Sequence, residues 1–221
     1  MTARGAQTRS RKNQKIAAIA ATGLIVAAGA TISSLAAWTD TEWVFGGAAT
    51  ENGVSTSVFE VNQNVTTGAT WTNDLASPGG KIDFSIVAQD LMPGEPVYGF
   101  VRLRTIENSL PGVLTLNAPV MGAGGSAPLF SALTYGAKIV PSTAACSDAG
   151  FTASTTVVVS PGSATSVGSA VDVFDLEGGT AAPGPEKVVC FQLLLPSPAS
   201  DTLQGLGAQP IWNFTAESTL P

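Results

Sequence analysis

Val188-Val189-Cys190-Phe191-Gln192-Leu193-Leu194-Leu195 is apolar on both alternating faces, with Gln192 the one polar interruption. A run of this kind reads as a strand in the middle of a sheet, covered on its two sides. Val157-Val158-Val159 is a shorter run of the same type. Around them, single-sided alternation recurs. Ile82, Phe84 and Ile86 are spaced to face a core, while Lys81, Asp83 and Ser85 face water. Val97, Val101 and Leu103 alternate with Arg102 and Arg104; Leu114 and Leu116 repeat the pattern briefly. Trp212, Phe214 and Ala216 alternate with Asn213, Thr215 and Glu217 near the C-terminus.

Turn signals separate these runs. Ser77-Pro78-Gly79-Gly80, Met92-Pro93-Gly94-Glu95-Pro96 and Pro111-Gly112 are compact ones; Gly122 to Pro128, Ser160-Pro161-Gly162 and Gly178 to Pro185 are looser. Proline presets φ and glycine permits positive φ, so such clusters punctuate strands. Their spacing predicts an all-β sandwich of about eight to ten strands. No helical periodicity, internal repeat or domain boundary is evident after the first 36 residues, so 37–221 reads as a single β-sandwich domain.

Charge is placed unevenly. Arg4, Arg9, Arg11, Lys12 and Lys15 open the chain, and all sixteen acidic residues lie at Asp40 or later. The chain beyond residue 36 holds five basic and sixteen acidic residues. A body so acidic repels nucleic acid and anionic lipid. The basic start precedes an uncharged run from Ile16 to Thr39, and Ser34-Leu35-Ala36 supplies small residues for a cleavage site. These features predict a helical secretory signal peptide over 1–36, cut between Ala36 and Ala37, or one residue later, by a signal peptidase. The run also has the length of a membrane anchor, about 20 residues. Its Ala, Gly and Thr content favours cleavage, and membrane contact is then confined to the uncleaved signal.

Cys146 and Cys190 are the two cysteines, and both fall in the exported part. An even count in an oxidising compartment predicts one disulfide. Free thiols and a redox pair are the alternatives, and no Cys-x-x-Cys spacing favours the latter.

Catalytic motifs are missing. The chain has no histidine, which removes the commonest general base and zinc ligand. Asp40 with Glu42, and Asp172 with Asp175 and Glu177, are acidic groupings that read as solvated loops rather than catalytic pairs or calcium ligands. Asn64-Val65-Thr66 and Asn213-Phe214-Thr215 match glycosylation acceptors. The expectation is a non-enzyme with no cofactor and no metal site.

Three patches carry a family resemblance. Ala36-Ala37-Trp38-Thr39-Asp40-Thr41-Glu42 at the signal junction, Asp90-Leu91-Met92-Pro93-Gly94-Glu95, and Trp212-Asn213-Phe214-Thr215-Ala216-Glu217 occur in that order along the chain. Together they resemble the TasA/camelysin-type exported proteins, which use a SipW-type signal peptide. The resemblance implies a jelly-roll-like antiparallel β-sandwich at the cell surface or in a biofilm matrix. It further implies self-association into fibres, with the freed N-terminal segment adding a strand to a neighbouring copy. Carried onto this chain, the donor is Ala37 to Gly46, with Trp38, Trp43 and Phe45 as apolar anchors. The family's following motif is replaced here by Gly46-Gly47-Ala48-Ala49 and Val58-Phe59-Glu60-Val61, and its usual pattern has no disulfide. A metalloprotease label given to some relatives does not suit a chain without histidine.

Strand addition is physically sound, because an exposed sheet edge gains main-chain hydrogen bonds and apolar burial together. The same segment can instead fold back into its own sheet. A monomeric surface binding module or adhesin is the alternative function, and a hydrolase the weakest.

Overall fold

A computed structural model of the chain describes residues 57–84 and 91–219. The signal peptide, the Ala36/Ala37 cleavage site, the acidic pair Asp40 and Glu42, and the donor anchors Trp38, Trp43 and Phe45 lie outside the described residues.

Ser55–Pro221 is one compact unit. In chain order its elements are β1 (Val61–Asn64), β2 (Val97–Thr105), β3 (Gly112–Leu116), β4 (Val120–Met121), α1 (Ala127–Ala132), β5 (Thr134–Val140), α2 (Asp148–Ala153), β6 (Val157–Ala164), β7 (Phe174–Leu176), β8 (Lys187–Leu194), β9 (Pro210–Ile211) and β10 (Phe214–Ser218). Single 3-10 turns occur at Thr143–Ala145 and Asp201–Leu203. A five-stranded sheet runs β1-β2-β8-β5-β6, a three-stranded sheet runs β10-β3-β7, and β4 pairs with β9 in a short ribbon. Every named ladder is antiparallel. The fold is therefore all-β, with the core between two sheets as in a sandwich.

The apolar run at Val188 occupies the expected place. β8 is the central strand, paired to β2 and β5 through Phe100↔Cys190 and Lys138↔Cys190. Val189, Phe191 and Leu193 face the main core. Val188 and Cys190 face the opposite side, where Val140, Phe151 and the half-buried Tyr98, Phe100, Ala145 and Cys146 cover them. Two covered faces require apolar residues at every position, which is why the run does not alternate. β2 shows the single-sided pattern: residues 97, 99, 101, 103 and 105 are buried and the intervening ones half-exposed.

The inner core joins both sheets. Phe191 lies 4.9 Å from the Trp212 ring and 6.5 Å from Phe214. Tyr135 and Phe84 reach the same indole at 5.8 and 5.9 Å, and Phe174 meets Phe214 edge-on at 6.2 Å. Fully buried, the Phe191 side chain contributes about 1.5–3 kcal/mol.

Several sequence expectations change. Lys81 to Phe84 forms no strand, although its alternation survives: Ile82 and Phe84 pack on the core, and Lys81 and Asp83 are exposed. The segment crosses the inner face at Gly99, where a Cβ would stand 2.6 Å from Ile82 and 3.1 Å from the Asp83 carbonyl. A glycine there lets another backbone lie flat on the strand. Val157–Val159 belongs to an edge strand, not a central one. β6 continues through Ser160-Pro161-Gly162, expected to be a loop, by bulging against β5 between Tyr135 and Lys138. Gly136 makes room for this, since a Cβ there would lie 2.7 Å from Pro161 Cα. Proline is tolerated on an edge strand at a bulge, where no ladder donor is needed.

Two six-residue helices were also unexpected. α1 starts within the segment read as a loop, Gly122 to Pro128, and runs four residues past it, with Ser126 as N-cap and proline in its first turn. α2 starts at the Ser147 cap, whose side chain accepts from the Gly150 N–H, and carries Asp148 in its first turn. Both are too short to show periodicity, yet their caps were readable.

Candidate functional site

The two cysteines are joined, with Cα atoms 5.3 Å apart. Cys190 is fully buried on β8, and Cys146 ends the 3-10 turn before α2. The bridge clips residues 141–154 onto the outer face of the five-stranded sheet. Phe151 packs 5.6 Å from Tyr98, and the Lys138 ammonium donates to the Phe151 and Ser154 carbonyls at 2.9 Å each. Tyr98 donates to Asp148 Oδ1 at 2.9 Å and accepts from Gln192 Nε2 at 2.9 Å. Burial raises the Tyr98 pKa above its ordinary value; the Gln192 bond opposes this and the Asp148 carboxylate adds to it.

Beside the clip lies a basic and aromatic patch that the sequence reading missed. The guanidinium groups of Arg104 and Arg102 sit 3.9 and 4.8 Å from the centre of the Trp71 ring. Arg102 also donates to the Gly68 carbonyl at 2.8 Å and pairs with Glu186 at 2.5 Å. Alternate positions on β2 and the cross-strand partners Asn62↔Arg104 and Asn64↔Arg102 put these side chains on one face. An isolated Trp71 among polar residues was the available signal. Asn64 is buried, with its amide nitrogen donating to the Gly68 carbonyl at 2.7 Å and its oxygen accepting from Thr66. That side chain builds the loop under Trp71, so the first glycosylation motif has a structural role.

Sheet edges matter most for the expected assembly. β1 is short and its outer side is covered at Gln63 by Thr72, which exchanges backbone hydrogen bonds with it at 2.8 and 2.9 Å. β6 is interrupted by its bulge, and β7 has three residues. β10 differs. The bonds Asn117 N–H to Asn213 O and Thr219 N–H to Pro111 O bracket its ladder with β3. Alternation then turns the N–H and C=O groups of Phe214, Ala216 and Ser218 away from β3. No other described strand pairs with that side. Trp212, Phe214 and Ala216, on the core side, are only half-buried. The C-terminal alternation is thus real, but Trp212 precedes β10 rather than belonging to it.

Tyr135 anchors this region from the facing sheet. It is fully buried, and its hydroxyl donates to the Val167 carbonyl. Burial pushes its pKa up to about 12, against a smaller lowering by the Trp212 indole N–H. That N–H is buried and makes no full hydrogen bond.

Asp172, Asp175 and Glu177 are all exposed. Asp172 adopts φ 52° and donates its backbone N–H to Thr115 Oγ1 at 2.9 Å, so it shapes a turn after the long 165–171 loop. Among the described residues, no three acidic or cysteine side chains come together as a metal site, and no helix is long and apolar enough to cross a membrane. Fold and site together define an antiparallel β-sandwich with a disulfide-clipped outer layer and, among the described residues, an open outer edge at β10. The chain matches no family model and no curated protein.

Proposed function

We propose that this protein is an exported, non-catalytic structural subunit of an extracellular fibre or matrix, with a jelly-roll-like sandwich of the TasA/camelysin type. One copy's Ala37–Gly46 segment, freed by signal peptidase, adds a strand to the next copy. The acceptor is the outer edge of β10. The observation that carries this reading is that edge, with three residues' main-chain groups turned outward over half-buried Trp212, Phe214 and Ala216. The disulfide fits export, since such bridges persist in oxidising compartments.

The test uses Ala216→Pro. Its N–H points away from β3, so proline removes a donor from the outer edge while sparing the internal ladder. The mature protein is expected to form filaments visible by electron microscopy, and Ala216→Pro to remain a folded monomer. A mature wild-type protein that stays monomeric at high concentration, with 37–46 protected from protease, would mean that the segment folds back on its own subunit and would sink the fibre reading.

The half-buried Trp71–Arg102–Arg104 cluster favours a second reading, an envelope adhesin. Aromatic and guanidinium planes suit acidic sugars. A glycan array on which wild type and Trp71→Ala give the same signal removes it.

A further inference from the structure

One row of residues crosses the outer face of the five-stranded sheet beside the disulfide clip. Asn64 lies opposite Arg102, Arg102 opposite Val188, and Val188 opposite Val140. Adjacent strands lie about 4.8 Å apart, so the row runs about 14 Å from β1 to β5. Its two ends differ. At β1 and β2, half-buried Trp71 lies against Arg102 and Arg104. At β8 and β5, a groove of about 560 Å³ is lined by Val140 and Val188, by Ala153 of α2, by Thr155 and Thr156, and by Glu186. Glu186 joins the ends, since its Oε2 accepts two bonds from Arg102, at 3.0 and 2.5 Å.

The charges along the row also differ. Glu186 neutralises Arg102. Among the described residues Arg104 has neither an acidic partner nor a hydrogen bond. Its Nε is buried and unpaired, as is Oδ1 of Asn62, its cross-strand neighbour. A half-buried guanidinium left in that state favours a carboxylate, which takes paired N–H donors. The groove has the opposite character. Glu186 Oε1 accepts no bond among the described residues, and Thr155 and Thr156 are exposed. Carboxylate and hydroxyl groups suit neutral hydroxyls, whereas an anion placed there meets the Glu186 charge.

We infer that this row binds a short oligosaccharide carrying a single carboxylated ring. The carboxylate meets Arg104 beside Trp71, and neutral rings occupy the groove at Glu186. An apolar floor with a few convergent polar groups is the usual make-up of a small-molecule site. A peptide suits the row poorly. β2, β8 and β5 are each flanked by strands on both sides, so their main-chain groups are committed and offer no edge to a further strand. Polyanions are repelled as well, because the chain beyond residue 36 has five basic and sixteen acidic residues. The inference rests on the adhesin reading of the Trp71 cluster and adds to it the groove and the charge pattern of the ligand; it is independent of fibre assembly.

The experiment titrates the full mature chain by calorimetry at low salt. The probes are trisaccharides of glucose, galactose or mannose, each neutral, ending in one uronic acid, or uronic throughout. A singly acidic form is expected to bind about tenfold more tightly than its neutral and fully acidic counterparts. Arg104→Gln is expected to erase the preference over the neutral form. Ala153→Phe fills the groove from an exposed position, and is expected to weaken the singly acidic form about tenfold while keeping that preference. Thermal unfolding equal to wild type certifies each variant, and Ala153→Phe carries the test alone should Arg104→Gln fail to fold. Binding that needs Trp71 and Arg104 but ignores Ala153→Phe overturns the inference and leaves the adhesin reading standing. Tightest binding by the fully acidic forms overturns it too, as does a triglutamate peptide that binds as tightly as the sugar. If no trisaccharide binds, the inference falls, and the glycan array with Trp71→Ala decides the adhesin reading separately.

Discussion

Replacing both cysteines, as Cys146→Ala with Cys190→Ala, removes a cross-link between residues 44 apart in the chain. The chain-entropy model gives a loss of about 13 cal/mol/K for a loop of that length, or about 4 kcal/mol at 25 °C. Cys190 is fully buried, so deleting its sulfur also thins the packing under Phe100 and Phe151 by on the order of 1 kcal/mol. The clip itself has other fastenings: buried Phe151, the Tyr98–Asp148 bond and the two bonds from Lys138. It should therefore stay docked, and the effect should be global rather than local. Guanidinium unfolding is expected to show a loss of about 3–5 kcal/mol, with a melting temperature lower by about 8–15 °C. The denaturant slope should rise, because an uncross-linked unfolded chain exposes more surface. A global loss below about 1 kcal/mol, accompanied by protease cutting within 141–156, would refute the reasoning. The bridge would then hold the clip alone.

Phe191→Ala removes the ring between the two sheets and should cost about 3–5 kcal/mol in chemical denaturation. Tyr135 ionises near pH 10 when unfolded and only at about 12 when folded. The unfolded chain thus loses its proton first; the stability this group contributes is fully present below pH 10 and is lost between pH 10 and 12. Tyr135→Phe should flatten that alkaline slope, while costing about 1 kcal/mol at neutral pH through the lost bond to Val167. Gly136→Ala presses a methyl onto Pro161 backbone at 2.7 Å and should destabilise the β5–β6 pair by about 1–3 kcal/mol, read as faster amide exchange in 157–164.

Legibility followed the physics of each segment. The Val188 run announced a central strand because covering two faces demands unbroken hydrophobicity, and β2 announced a half-exposed strand because one face demands alternation. The pattern over Lys81–Phe84 misled in part, since it records which side chains meet the core and says nothing about ladder partners. Val157–Val159 misled for a related reason: a bulge can bury consecutive residues on an edge. The patch of Trp71 over Arg102 and Arg104 was invisible because its members are 31 and 33 positions apart, and no local rule links them.

By itself the sequence determined an all-β body, its approximate number of strands, the pairing of its two cysteines and the basic, apolar start that argues for export. These follow from composition, periodicity and count, which are properties of the chain alone. Tertiary structure decided which strand lies at an edge, which face of the five-stranded sheet the disulfide clip covers and which distant side chains meet on one face. Those depend on contacts between residues far apart in the chain, such as β3 with β10. The open side of β10 is the clearest case: Phe214-Thr215-Ala216 alternates like any strand, and only its neighbours decide that one row of its hydrogen-bonding groups faces outward.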